Sequence, residues 1–180
     1  MQVIIIGLDH ELQTSVQRMF SSDDLPAAEA GDKRKYRTLL EGAIKSSDAG
    51  LVAEEWCLPD ETIAREVARS LNVRYECVDM GPDERRARGI PLDYAIDPAV
   101  SAEDRDAWHR AREELMVQRT LRAAGPNPAA VVVCGLDHVV GIEQILVKHG
   151  HAVERQRLSQ ANGFDLRWLN SNLAGSQRAG

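Results

Sequence analysis

Four short apolar runs stand out along the chain, at residues 3–6, 51–53, 73–78 and 130–134. Three are rich in β-branched residues, and Gly, Pro, Asp or Asn lies near their ends. Continuous apolar runs of this length predict strands buried on both faces. Between them the apolar positions fall at helical spacing. Ile63, Ala64, Val67, Ala68 and Leu71 form one stripe, with Asp60 as the expected cap after Pro59 and Asn72 as a stop. Ser101 and Asp104 resemble a capping box opening a long charged helix to about Ala124, with Trp108, Ala111 and Leu115 on one stripe. Gly125-Pro126-Asn127-Pro128 ends it. Val139, Ile142, Ile145 and Leu146 make the next stripe, closed by Gly150. Residues 36–45 read as helix, 21–35 as polar loop, and 151–158 as an added edge strand.

Strands alternating with helices predict one α/β domain over residues 1–174, with a mainly parallel sheet of four to five strands flanked by helices. Residues 175–180 are expected to be a disordered tail. Phe164 and Trp168 are expected to cover the core.

Composition narrows the class. The chain has 180 residues, 43% of them hydrophobic and 28% charged, which suits a folded domain with its own core. The net charge of −6 argues against nonspecific nucleic-acid binding, which needs a positive surface. No segment is apolar for long enough to span a bilayer. The N-terminal run lacks the basic start of a secretion signal and reads as a strand. Cys57, Cys77 and Cys134 lie far apart without a CxxC spacing, which predicts three reduced thiols and a cytoplasmic protein.

The chemistry is carried by a repeat. Ile4-Ile5-Ile6 runs into Gly7-Leu8-Asp9-His10, and Val131-Val132-Val133-Cys134 runs into Gly135-Leu136-Asp137-His138. With 13 Gly and 5 His, chance supplies about one third of a GxxH match, so two identical tetrapeptides after two apolar strands carry information. Ligands of open α/β sheets bind at the carboxyl ends of the strands, where both histidines are predicted to lie. Each residue also has a plain structural use: the glycines as turns, Asp9 and Asp137 as caps, the histidines as solvated first-turn residues.

The second strand runs into Glu54-Glu55 at the same edge. Adjacent strand residues point to opposite faces, so only one of the two need enter a shared cleft. His10, His138 and Glu54 or Glu55 could together hold Mn²⁺, Zn²⁺ or Fe²⁺ and activate water. Without metal, a histidine and a glutamate could share acid–base work.

Two GxxH motifs with a glutamate pair between them resemble the TIKI/TraB-type superfamily, which takes in the erythromycin esterases and the haem-binding ChaN lipoproteins. The resemblance covers most of the chain in order: Gly7 to His10, Glu54-Glu55, Arg112, then Gly135 to His138. It implies an α/β fold with a cleft built from these motifs, and a role for Arg112 on the helix before the last GxxH strand. Members differ in chemistry, among metal-dependent proteases, histidine-based hydrolases and haem binders. The short chain, with no anchor and no large insertions between motifs, departs from the pattern of extracellular proteolysis and haem uptake. The expectation is a metal-assisted or histidine-dependent hydrolase of a peptide, ester or amide bond in a small-molecule or peptide substrate. The alternative is a non-catalytic ligand-, metal- or protein-binding domain of the same fold. His109 is expected at the surface. Residues 80–89 read as a turn entering a solvated helix, or as a lid with an arginine cluster.

Overall fold

The computed structural model describes residues 1–13, 27–58, 61–159 and 163–164. The four apolar runs become β1 (Gln2–Leu8), β2 (Leu51–Glu54), β3 (Arg74–Cys77) and β4 (Ala129–Gly135). They are joined by β5 (Ala152–Ser159) and a two-residue β6 (Gly163–Phe164) in one sheet of order β3-β2-β4-β1-β5-β6. The first five strands are parallel and β6 is antiparallel. Thus β5 pairs on both sides. β3 is half exposed, the pattern of a sheet border and not of a doubly buried strand.

Helices cover both faces. α1 (Ala27–Ser47) and α2 (Ile63–Ser70) pack Tyr36, Leu39, Leu40, Ile63 and Val67 on the face that carries Ile4, Ile6, Val52 and Val131. Beyond the exposed six-residue α3 (Pro82–Ala87), α4 (Ala102–Ala124) and α5 (Val139–Lys148) cover the opposite face. There Met116, Val117, Ile142 and Leu146 meet Val3, Ile5, Ala53 and Val132. Ser101 caps α4 by accepting from the Asp104 amide at 3.0 Å. Asn72 and Gly125 take positive φ where the helical patterns stop. Among the described residues no helix is long and apolar enough to cross a membrane.

Four more expectations are corrected. Residues 27–35 are helix; their Ala, Lys and Arg content favours helix without a marked apolar stripe. The cap of α2 is Thr62, whose hydroxyl accepts from the Arg65 amide at 3.1 Å, while Pro59 and Asp60 lie outside the described residues. The thiols are not all reduced: Cys57 and Cys77 form a disulfide, and Cys134 is free and buried. The pairing joins the turn after β2 to the end of the neighbouring β3, a proximity made by the sheet that no sequence motif announces. The support that reduced thiols gave to a cytoplasmic location is thereby withdrawn. His109 is only partly exposed, its ring packed against His138, and is not the fully solvated residue expected. Trp168, the side chain of Phe164 and residues 175–180 lie outside the described residues.

Candidate functional site

Strand order decides which motifs can meet. β4 lies between β1 and β2, so the two Gly-Leu-Asp-His segments leave neighbouring strands and the glutamate pair leaves the next one. After each GxxH strand the chain enters a short 3₁₀ turn, His10–Leu12 and Leu136–His138, that carries the motif's histidine.

The repeated glycines serve close approach. A Cβ on Gly135 would stand 2.9 Å from His10 Nε2 and 3.4 Å from Glu55 Oε2, so the glycine of the second motif makes room for the histidine of the first. A Cβ on Gly7 would run into the Val139 side chain, the first residue of α5. Neither glycine needs positive φ.

Glu55 is the centre of the site. It is 3% exposed, and both its oxygens are engaged. Oε2 accepts from the Gly135 amide at 2.7 Å. Oε1 accepts from Arg112 Nη2 at 2.5 Å, with His138 Nε2 at 3.3 Å and His10 Nε2 at 3.9 Å. Burial would push the Glu55 carboxyl up. The hydrogen bond and charge of His138, followed by Arg112 and His10, outweigh it and hold the group well below the usual carboxylate range.

Arg112 is buried on α4 and bridges three partners. Nε and Nη2 donate to the two Asp79 oxygens at 3.0 and 2.8 Å, Nη2 also reaches Glu55, and Nη1 donates to Tyr94 OH at 3.1 Å. Against its own desolvation, Asp79 and Glu55 keep this guanidinium firmly protonated. The His138 ring lies between two carboxylates, Nδ1 being 3.1 Å from Glu113 Oε1. Burial favours the neutral ring, but the hydrogen bonds to Glu113 and Glu55 push its pKa up to about 9.

Glu54 goes the other way. Strand alternation sends it to the α1/α2 face, where Oε2 accepts from Thr62 at 2.6 Å and from Tyr75 at 2.7 Å. Desolvation there pushes its carboxyl up to about 7. Its link to the site is indirect. Gln13 Nε2 approaches Glu54 Oε1 at 3.4 Å, while Gln13 Oε1 lies 2.6 Å from His10 Nδ1. A carbonyl oxygen only accepts, so His10 carries its proton on Nδ1 and presents a bare Nε2 when neutral.

His10 is about half exposed and opens onto a cavity of about 480 Å³, within the size range of small-molecule sites. Trp56, Leu58, Met80, Leu92 and Tyr94 supply apolar walls, and Arg85 adds a cation. Of the expected site residues, His10, His138, Glu55 and Arg112 come together; Glu54 does not. The sequence reading missed Asp79, Tyr94, Gln13 and Glu113. Asp79 carried the signal that flagged the glutamates, an acid just beyond a strand. Gln13, Tyr94 and Glu113 carried none. Comparison with family models, with curated proteins and with solved structures gives no match for this chain.

Proposed function

We propose that the chain is a histidine-dependent hydrolase of a small ester, amide or peptide, with His10 as the base. The observation that carries this reading is the His10 ring. Gln13 fixes its tautomer at 2.6 Å, which leaves a bare Nε2 to take a proton on a half-exposed ring that lines the cavity. Water held between Nε2 and a substrate carbonyl would lose its proton to His10 as oxygen bonds to the carbonyl carbon. The leaving group would then receive that proton. Tyr94 accepts from Arg112, which leaves its own hydroxyl proton for a developing oxyanion, and Arg85, paired with Asp79, lines the same cavity. The resemblance of the two GxxH motifs to the TIKI/TraB-type hydrolases agrees with this reading.

A second reading, ligand binding without turnover, is favoured by the mutual saturation of Glu55, Arg112 and Asp79, which leaves little of that network for chemistry. A panel of activated esters, anilides and short peptides separates the two. Hydrolysis by the wild type and its loss by about a hundredfold or more in His10→Ala supports the enzyme, the range expected for a positioned base. Undiminished turnover in His10→Ala refutes it, and substrate binding without cleavage supports the second reading.

A further inference from the structure

We propose that His109, Glu113 and His138 form a binding site for one divalent first-row transition ion, on the side of His138 away from His10. The placement begins with the helix. His109 and Glu113 are four residues apart on α4 and so share one face. The first turn beyond β4 brings His138 against that face. One ligand atom from each of the three residues lies within 4.8 Å of the other two. The His138 Nδ1 to Glu113 Oε1 separation is already 3.1 Å. Two ligands on a tetrahedral Zn²⁺ with bonds of 2.0–2.1 Å stand about 3.3 Å apart, so this edge of the shell is in place and His109 has only a short way to move.

The surroundings are those of a metal shell. Metal-bound imidazoles commonly donate their second nitrogen to a carboxylate. His138 Nε2 has Glu55 Oε1 at 3.3 Å, and Glu55 is itself fixed by Arg112 and the Gly135 amide. Without an ion Nδ1–H donates to Glu113; an ion entering between the two would replace that proton, with Nε2–H remaining on Glu55. The Glu113 carboxylate fills the space beside Gly141, where any Cβ would collide with it. The His109 ring is held between Tyr94 and His138, with centroids 5.1 and 4.9 Å away. Its Nδ1 is buried and has no hydrogen-bond partner among the described residues, an unusual condition that a ligand would relieve. The Arg112 charge is matched by Asp79 and Glu55, while Glu113 pairs with His138, whose ring proton an ion would replace. His109 is partly exposed, which gives an ion a way in from solvent. Two imidazoles and one carboxylate suit Zn²⁺ and its neighbours, not Mg²⁺ or Ca²⁺, and leave a fourth position for water.

This set differs from the one expected from sequence. A cation between His10, Glu55 and His138 would face the Arg112 guanidinium, already 2.5 Å from Glu55 Oε1. The site is independent of the proposed hydrolysis. Zn²⁺ binding without turnover leaves it standing, and turnover without Zn²⁺ binding overturns it alone.

The test titrates the chelator-stripped full chain with Zn²⁺ by calorimetry and with Co²⁺ by visible absorption. Mg²⁺ serves as the control, and circular dichroism reports the fold of each variant. One ion per chain is expected, with the strong absorption of four-coordinate Co²⁺. His109→Ala and Glu113→Gln should each weaken binding by about tenfold or more, the scale seen even for groups one step outside a metal shell. His10→Ala should bind as the wild type does. Three results would overturn the proposal: no saturable site at one ion per chain, wild-type affinity in both His109→Ala and Glu113→Gln, or loss of binding in His10→Ala.

Discussion

Replacing Arg112 by Met removes one cation from beneath two buried carboxylates. Glu55 is 3% exposed and Asp79 4%, and the guanidinium makes two hydrogen bonds to Asp79, one to Glu55 and one to Tyr94. Methionine fills much of the volume, so the effect is electrostatic and not a cavity. Breaking a buried ion pair from one side costs about 3–5 kcal/mol, because the partner charge stays buried. Here the lower part of that range applies, since Asp79 retains Arg85 and Glu55 retains His138 and the Gly135 amide. For a chain of this size, roughly 2–4 °C per kcal/mol gives a fall in Tm of about 6–12 °C for a loss of about 3 kcal/mol. The deficit also depends on pH. In the wild type the low-lying Glu55 carboxyl contributes stability above the usual carboxylate range and loses it as pH falls. The variant lacks the Arg112 share of that term and keeps the larger His138 share, so the gap between the two proteins should be full at about pH 7 and narrow only as pH falls below the ordinary value of 4.5, toward about pH 3. Urea denaturation at both pH values measures it. Arg112→Lys should recover only part, because an ammonium cannot bridge Asp79, Glu55 and Tyr94 together. A loss below about 1 kcal/mol at pH 7, with no pH dependence, would refute the view that this network is held by Arg112.

Glu54→Gln should leave the fold intact and stabilise it at pH 8. The folded state holds its extra proton between the ordinary value of 4.5 and about 7, so rising pH across that window removes up to about 3 kcal/mol from the wild type, and a neutral amide escapes this. Equal pH slopes for the two proteins in urea melts would disprove it. Gly135→Ala should push the His10 ring aside, with a large shift of the His10 imidazole resonances, because its Cβ would fall 2.9 Å from Nε2. Gly42→Ala on α1, where a Cβ meets nothing within 4 Å, should instead raise stability by up to about 1 kcal/mol. Thiol titration of the denatured, unreduced protein should find one group, Cys134, and three after reduction. Removing the Cys57–Cys77 link, which spans a separation of 20 residues, should cost roughly 3 kcal/mol. Three thiols before reduction would contradict the pairing.

Local rules decided much of this protein. Apolar runs of strand length, helical stripes and stop residues such as Asn72 and Gly125 gave the elements, because hydrophobic period and backbone preference act over a few residues. The duplicated Gly-Leu-Asp-His drew attention to His10 and His138 for the same reason: each is placed by its own strand. What required the tertiary structure is whatever depends on partners distant in the chain. Alternation along β2 says that Glu54 and Glu55 part company, but not which face carries Arg112. That choice follows from α4 packing over Ala53 and Val132 while α1 and α2 cover Val52 and Val131. Asp79 enters through the strand order, and Cys77 meets Cys57 because β3 borders β2. Gln13, Tyr94, His109 and Glu113 acquire their roles only by contact, since a side chain's charge state and hydrogen bonds are set by what is folded against it and not by its neighbours in sequence.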